Sequence, residues 1–127
     1  MKLENIWIID DDPISTFVSE QVCVRAGIKS IFKYSDPYKA LNDIKNHLSI
    51  RPKLILLDVM MPVLSGFDFM AQLDPTEFPI KIVLISALPL HMVKEESVKL
   101  DSRVLAFWLK PLDVNTVTAF AETLKTL

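Results

Sequence analysis

Short apolar runs of four to six residues, separated by amphipathic stretches of ten or more, constrain this chain more than any other feature. Runs of that length bounded by polar residues read as buried strands. Their regular alternation with helix-length segments argues for βα units wrapped on a parallel sheet. The spacing predicts strands near 5–9, 30–34, 53–57, 80–85 and 104–109, and helices near 13–26, 37–48, 66–73, 90–100 and 113–125. Five such units form a three-layer α/β sandwich. The first helix has a clear start, with Asp12 as N-cap and Pro13 at the first helical position. Ile14, Phe17, Val18 and Val22 follow at helical spacing, and Gly27 sits where a positive φ commonly ends a helix. The second helix opens with the same device, Asp36-Pro37, and places Ala40, Leu41 and Ile44 at core spacing. The last starts at Asp113 and carries Val117, Phe120, Ala121 and Leu124 on one stripe. The fourth has only a thin apolar face, Val93, Ser97 and Leu100.

At 127 residues the chain is expected to be one domain, 1–127, without room for a second, output domain. Half of its residues are hydrophobic, which excludes disorder, yet no apolar stretch reaches the ~20 residues of a membrane span. The apolar run Ile6–Ile9 is too short, and too closely followed by acids, for a signal peptide. Neither membrane insertion nor secretion is expected. Cys23 is the only cysteine, so an internal disulfide is impossible and a cytoplasmic location is the simple reading. A net charge of −2 and the lack of a basic stripe give no case for direct nucleic-acid binding. His47 and His91 show no pattern of metal or catalytic partners, and the methionines are scattered.

The chemistry gathers at the ends of the predicted strands. Ile6–Ile9 runs into Asp10-Asp11-Asp12, Leu54–Leu57 into Asp58, and Val104–Leu109 into Lys110-Pro111. Adjacent carboxylates repel, and each raises the cost of ionising its neighbour. At the mouth of a buried strand such a cluster implies a cation or a proton. Ser86 ends a further strand. In open parallel sheets, ligands bind at the carboxyl ends of the strands, where all of these residues lie.

In order and spacing, four segments resemble the receiver domain of the two-component response-regulator family. They are Ile9-Asp10-Asp11-Asp12-Pro13; Leu57-Asp58-Val59-Met60-Met61-Pro62 with Gly66 eight residues after Asp58; Ile85-Ser86-Ala87; and Leu109-Lys110-Pro111. The resemblance covers the whole chain and implies the stand-alone type. It implies a flavodoxin-like (βα)5 fold with a five-stranded parallel sheet in the order 2-1-3-4-5. The expected function is a phosphoacceptor switch in a phosphorelay, not an enzyme acting on other substrates. A sensor histidine kinase or phosphotransfer domain would phosphorylate Asp58, and a separate protein target would read the change.

The resemblance also assigns roles. Mg²⁺ would be the cofactor, held by Asp11, Asp58 and the backbone carbonyl of Met60, with Asp10 acting mainly through water; such oxygens suit that ion. Lys110 would pair with Asp58 before transfer and with a phosphoryl oxygen after it, while Ser86 would donate its hydroxyl to the phosphoryl group. Phe107, three residues before Lys110, stands where the family keeps an aromatic switch. Trp108 should point to the opposite face. A cis bond before Pro111 is implied as well. Two departures stand out: Ser65 replaces the usual acidic residue before Gly66, and Leu100-Asp101-Ser102-Arg103 lacks the usual small Ala-Gly turn. The alternatives are a haloacid-dehalogenase-like phosphohydrolase using Asp10 as nucleophile with Asp12, and a phosphate-independent interaction module.

Overall fold

A computed structural model describes residues 5–47, 51–93 and 101–125. Strands β1 (Ile6–Ile9), β2 (Ile31–Tyr34), β3 (Leu54–Asp58), β4 (Lys81–Ser86) and β5 (Val104–Leu109) alternate with helices α1 (Pro13–Arg25), α2 (Pro37–Asn46), α3 (Gly66–Ala71), α4 (Leu90–Val93) and α5 (Val114–Lys125). All pairings are parallel and the order is β2-β1-β3-β4-β5, the flavodoxin-like arrangement expected from the sequence. Observed ends differ from the expected ones by a residue or two for most elements, as helix and strand ends do. Residue 48 of the expected second helix and residues 94–100 of the fourth, including Ser97 and Leu100, lie outside the described residues.

The central strands are buried on both faces, which is why they read as unbroken apolar runs. Trp7, Ile9, Ile55 and Leu57 point to the α2–α3 side, where Ala40, Ile44 and Phe69 meet them. Ile6, Ile8, Leu54 and Leu56 point to the α1–α5 side, against Cys23, Val117 and Leu124. Stepping by two along each strand separates the two cores.

The devices at the helix ends act as expected. Asp12 and Asp36 accept backbone N–H bonds from Ile14 and Tyr38, and Gly27 has φ +91°. Asp113 caps α5, accepting from the N–H of Thr116 at 3.0 Å. The packed face of α1, however, is not its large apolar stripe. Ile14 and Phe17 are 75% and 60% exposed, while the small residues Ser19 and Cys23 are buried. Small side chains let the helix lie close to the sheet, and the bulky ones are left outside.

β5 carries a second surprise. Ile82 pairs with Val104, but Val83 pairs with Ala106, so Leu105 is an inserted bulge residue. The insertion reverses the alternation: Val104 and Phe107 pack on the α2–α3 side, and Ala106 and Trp108 on the other. Trp108 therefore does face away from Phe107, and stacks edge-to-face on Phe120 at 5.1 Å.

Candidate functional site

The turn that leaves β1 is tied to its own first residue. With Asp12 capping α1, the chain folds back so that the Asp12 N–H donates to Asp10 Oδ1 at 3.0 Å. One helical turn on, the Ser15 hydroxyl donates to Asp10 Oδ2 at 2.6 Å. From the far end of the chain, Lys110 Nζ reaches the same Oδ2 at 2.8 Å and Asp58 Oδ2 at 3.2 Å. Asp10 and Asp58 are both buried, and the ammonium bridges them.

Asp58 closes β3, beside Ile85 of β4 in register. Its Oδ1 accepts the Met60 N–H at 3.1 Å, which curls the following loop over the carboxylate. That loop returns at Gly66, whose N–H donates to Val59 O at 2.9 Å. A Cβ at Gly66 would stand 2.7 Å from the Asp58 carbonyl oxygen, so only glycine permits this approach. Ser65, one of the two departures noted in the sequence, caps α3 by accepting from the Asp68 N–H.

Ser86 ends β4 fully buried; its Oγ accepts the Leu88 N–H at 3.0 Å, and its carbonyl accepts the Lys110 N–H at 2.8 Å. The strand thus carries Lys110 beside Ser86. The Lys110–Pro111 bond is cis. Phe107 packs, half-buried, against the α2–α3 core.

The two buried carboxyls are driven apart in ionisation. Asp58 is pushed up to about 6, first by burial and then by the neighbouring Asp10 charge, against the pull of the Met60 N–H and Lys110. Burial also raises Asp10, but the bonds from Lys110, Ser15 and the Asp12 N–H outweigh it and hold that carboxyl below its usual value. Lys110 lies above its usual value; burial lowers it, and the two carboxylates more than restore it. Perturbed titratable groups of this kind cluster at functional sites and also occur in structural ion-pair networks.

Carboxylate oxygens of Asp10, Asp11 and Asp58 lie within 4.8 Å of one another. Lys110 pairs with two of these three carboxylates, and the third, Asp11, is half-buried. Hard oxygens with excess negative charge fit Mg²⁺ and do not fit a softer ion. The Met60 carbonyl belongs to the same loop. Met60 itself is 54% exposed and lines, with Met61, Phe67, Leu88 and Met92, an apolar groove of about 520 Å³ beside the acids.

Every residue assigned from the sequence to the charged centre lies at the carboxyl edge of the sheet. Ser15 was missed. Nothing in its type distinguishes it from Thr16, whose hydroxyl bonds the backbone carbonyl of Asp12 at 2.9 Å instead. Only its place in the first turn of a capped helix beside an acidic strand end could have singled it out.

Residues 6–122 match the family model described as the response regulator receiver domain. An uncharacterized response regulatory protein of Shewanella oneidensis is 31% identical over 119 residues, covering 93% of this chain and 46% of that protein. A two-component response regulator from Cytophaga hutchinsonii superposes with a TM-score of 0.82 at 18% identity, over the whole of both chains. One from Legionella pneumophila gives 0.76 at 21% identity, over 98% of this chain and 99% of that one. At those identities the structures share the fold. The chain spans less than half the length of the curated relatives it matches.

Proposed function

The chain belongs to the response regulator receiver domain family, and from that premise we propose that it is a phosphoacceptor switch in which Asp58 receives a phosphoryl group from a histidine kinase or phosphotransfer domain. The observation that carries this reading is Lys110 held between two buried carboxylates, of which Asp58 is the one with no second side-chain donor on its Oδ2 among the described residues.

Asp58 attacks through a carboxylate oxygen. A bond to phosphorus forms, the P–N bond of a phosphohistidine breaks, and the electron pair stays on the imidazole nitrogen. Asp11, Asp58 and the Met60 carbonyl would hold Mg²⁺, with Asp10 acting through water because its oxygens already accept three bonds. When bound, the cation neutralises the carboxylates and the entering phosphoryl oxygens. Lys110 turns from the carboxylates to a phosphoryl oxygen. Ser86 accepts the Leu88 N–H on one lone pair, and its O–H would be the donor to the phosphoryl group. Its movement would open space for Phe107 to turn.

The output is a change of surface read by a separate protein or, in a longer chain, by an attached domain. A cytoplasmic location belongs to the same proposal; among the described residues no helix is long and apolar enough to cross a membrane. The phosphohydrolase reading is not favoured, because Asp12, its acid/base, is used in capping α1.

Incubation with Mg²⁺ and acetyl phosphate should add one phosphoryl mass, labile to hydroxylamine, and Asp58→Asn should abolish it. A full adduct on the Asn variant would overturn the assignment.

A further inference from the structure

We propose that Ser15 is a positioning residue: it keeps the Asp10 carboxylate satisfied when Lys110 leaves, and so sets how tightly the site holds a phosphoryl group. The inference rests on the reading of Asp58 as acceptor and deepens it.

Asp10 has no exposed side-chain surface. Its Oδ1 accepts the Asp12 N–H, and its Oδ2 accepts both the Ser15 hydroxyl and Lys110, which fills the two lone pairs of that oxygen. In the resting site the Ser15 bond is partly redundant, since Lys110 serves the same atom with a full charge. The redundancy ends on phosphorylation. Lys110 is shared with Asp58 and sits on the loop after β5, so a turn towards a phosphoryl oxygen takes the counter-ion away from Asp10. Without Ser15, Asp10 would then keep a single protein donor, the Asp12 N–H, beside a metal-bound water, and a buried carboxylate short of donors is costly.

Ser15 stands on a different element. It is carried by the first turn of α1, anchored by the Asp12 cap, and does not travel with Lys110. Its bond is short, in the range of a hydroxyl held by a carboxylate. Being neutral, the hydroxyl solvates Asp10 without competing for the phosphoryl charge. Removing it should cost little at rest and more once Lys110 has moved. Only such a difference between states alters affinity for the ligand that drives the change.

The test is calorimetric titration of the full chain with beryllofluoride at saturating Mg²⁺, and with Mg²⁺ alone, for wild type, Ser15→Ala and Ser15→Thr. We expect Ser15→Ala to weaken beryllofluoride binding about tenfold, the scale of one buried bond lost. Mg²⁺ affinity should change far less, and Ser15→Thr, which keeps the hydroxyl, should restore beryllofluoride binding. Equal losses for both ligands, a loss shared by Ala and Thr, or no loss at all would overturn the proposal. If the wild type itself fails to bind beryllofluoride, the reading of Asp58 falls and the role of Ser15 with it.

Discussion

Met60 and Leu88 stand two residues after Asp58 and Ser86, and on the proposed reading they are expected to set how long a phosphoryl group lasts. Hydrolysis needs a water in line with phosphorus, opposite the Asp58 oxygen. Side chains at those two positions are the ones best placed to orient it. Both line the apolar groove beside the acids, and neither accepts a hydrogen bond of any strength. With Asp58 as the proposed acceptor, slow self-dephosphorylation is the expected outcome. Met60→Asn or Leu88→Glu should speed decay about tenfold by giving the water an acceptor, the worth of one hydrogen bond in a barrier. Decay after donor removal, in excess Mg²⁺, measures it; a wild-type half-life of seconds that neither substitution alters would defeat the argument. At this scale the sequence was informative because the reactive types are few and each ends an apolar run. Ser15 escaped because a serine in a first turn has many ordinary uses.

Between elements, the least expected feature is Arg103. It is the one buried cation among the described residues, 5% exposed, at the start of β5. Its Nε and Nη2 pair with the two oxygens of Asp101 at 3.0 and 2.8 Å, and its Nη1 and Nη2 donate to the carbonyls of Phe78 and Met70 at 3.1 and 3.2 Å. One guanidinium therefore ties the end of α3, the approach to β4 and the head of β5. The missing Ala-Gly turn has been replaced by this clamp, with the Leu105 bulge immediately after it. Neither was legible: an arginine in a polar turn looks like a surface residue, and an inserted leucine in an apolar strand leaves no mark. The stripe on α1 misled for the related reason that periodicity gives a face but not which side it turns to. Arg103→Met should cost about 3 kcal/mol, since it strands Asp101 and two carbonyls. The pair also fixes a pH response. Arg103 holds the Asp101 carboxyl below its usual value, so its contribution is present above about pH 4 and is lost as pH falls through the folded value. Thermal melts of wild type and Asp101→Asn should differ most near neutrality and converge towards pH 3. A gap as wide at pH 3 as at pH 6 would show that charge is not what holds the clamp.

For the molecule as a whole, the two cores fix the sheet, and the sheet delivers like charges to one edge. That arrangement was readable from the order of apolar runs alone, because a strand buried on both faces has nowhere to hide a polar residue except at its end. It also carries a cost. The Asp58 carboxyl is raised from near 4 to about 6, so the folded state binds a proton that the unfolded chain releases. By linkage, this contribution to stability is full below pH 4 and is lost as pH rises through 6, a change of order 3 kcal/mol before the opposite shift of Asp10 offsets part of it. At neutral pH the metal-free fold therefore bears the cost of ionising Asp58 where it is buried and, secondly, beside the Asp10 charge. A cation that binds only the folded state relieves it, adding about 1.4 kcal/mol at ten times its dissociation constant. For a domain of this size, that raises the melting temperature by roughly 3–6 °C. The increase should be larger at pH 7.5 than at pH 5, where a proton on Asp58 competes with the metal. Asp11→Ala should remove most of it, since that half-buried carboxylate is the one without a protein cation beside it among the contacts seen. Scanning calorimetry with and without millimolar Mg²⁺ decides the matter: a melting temperature indifferent to the ion at pH 7.5, or a response that grows as pH falls, would mean that the acidic edge is not a cation site.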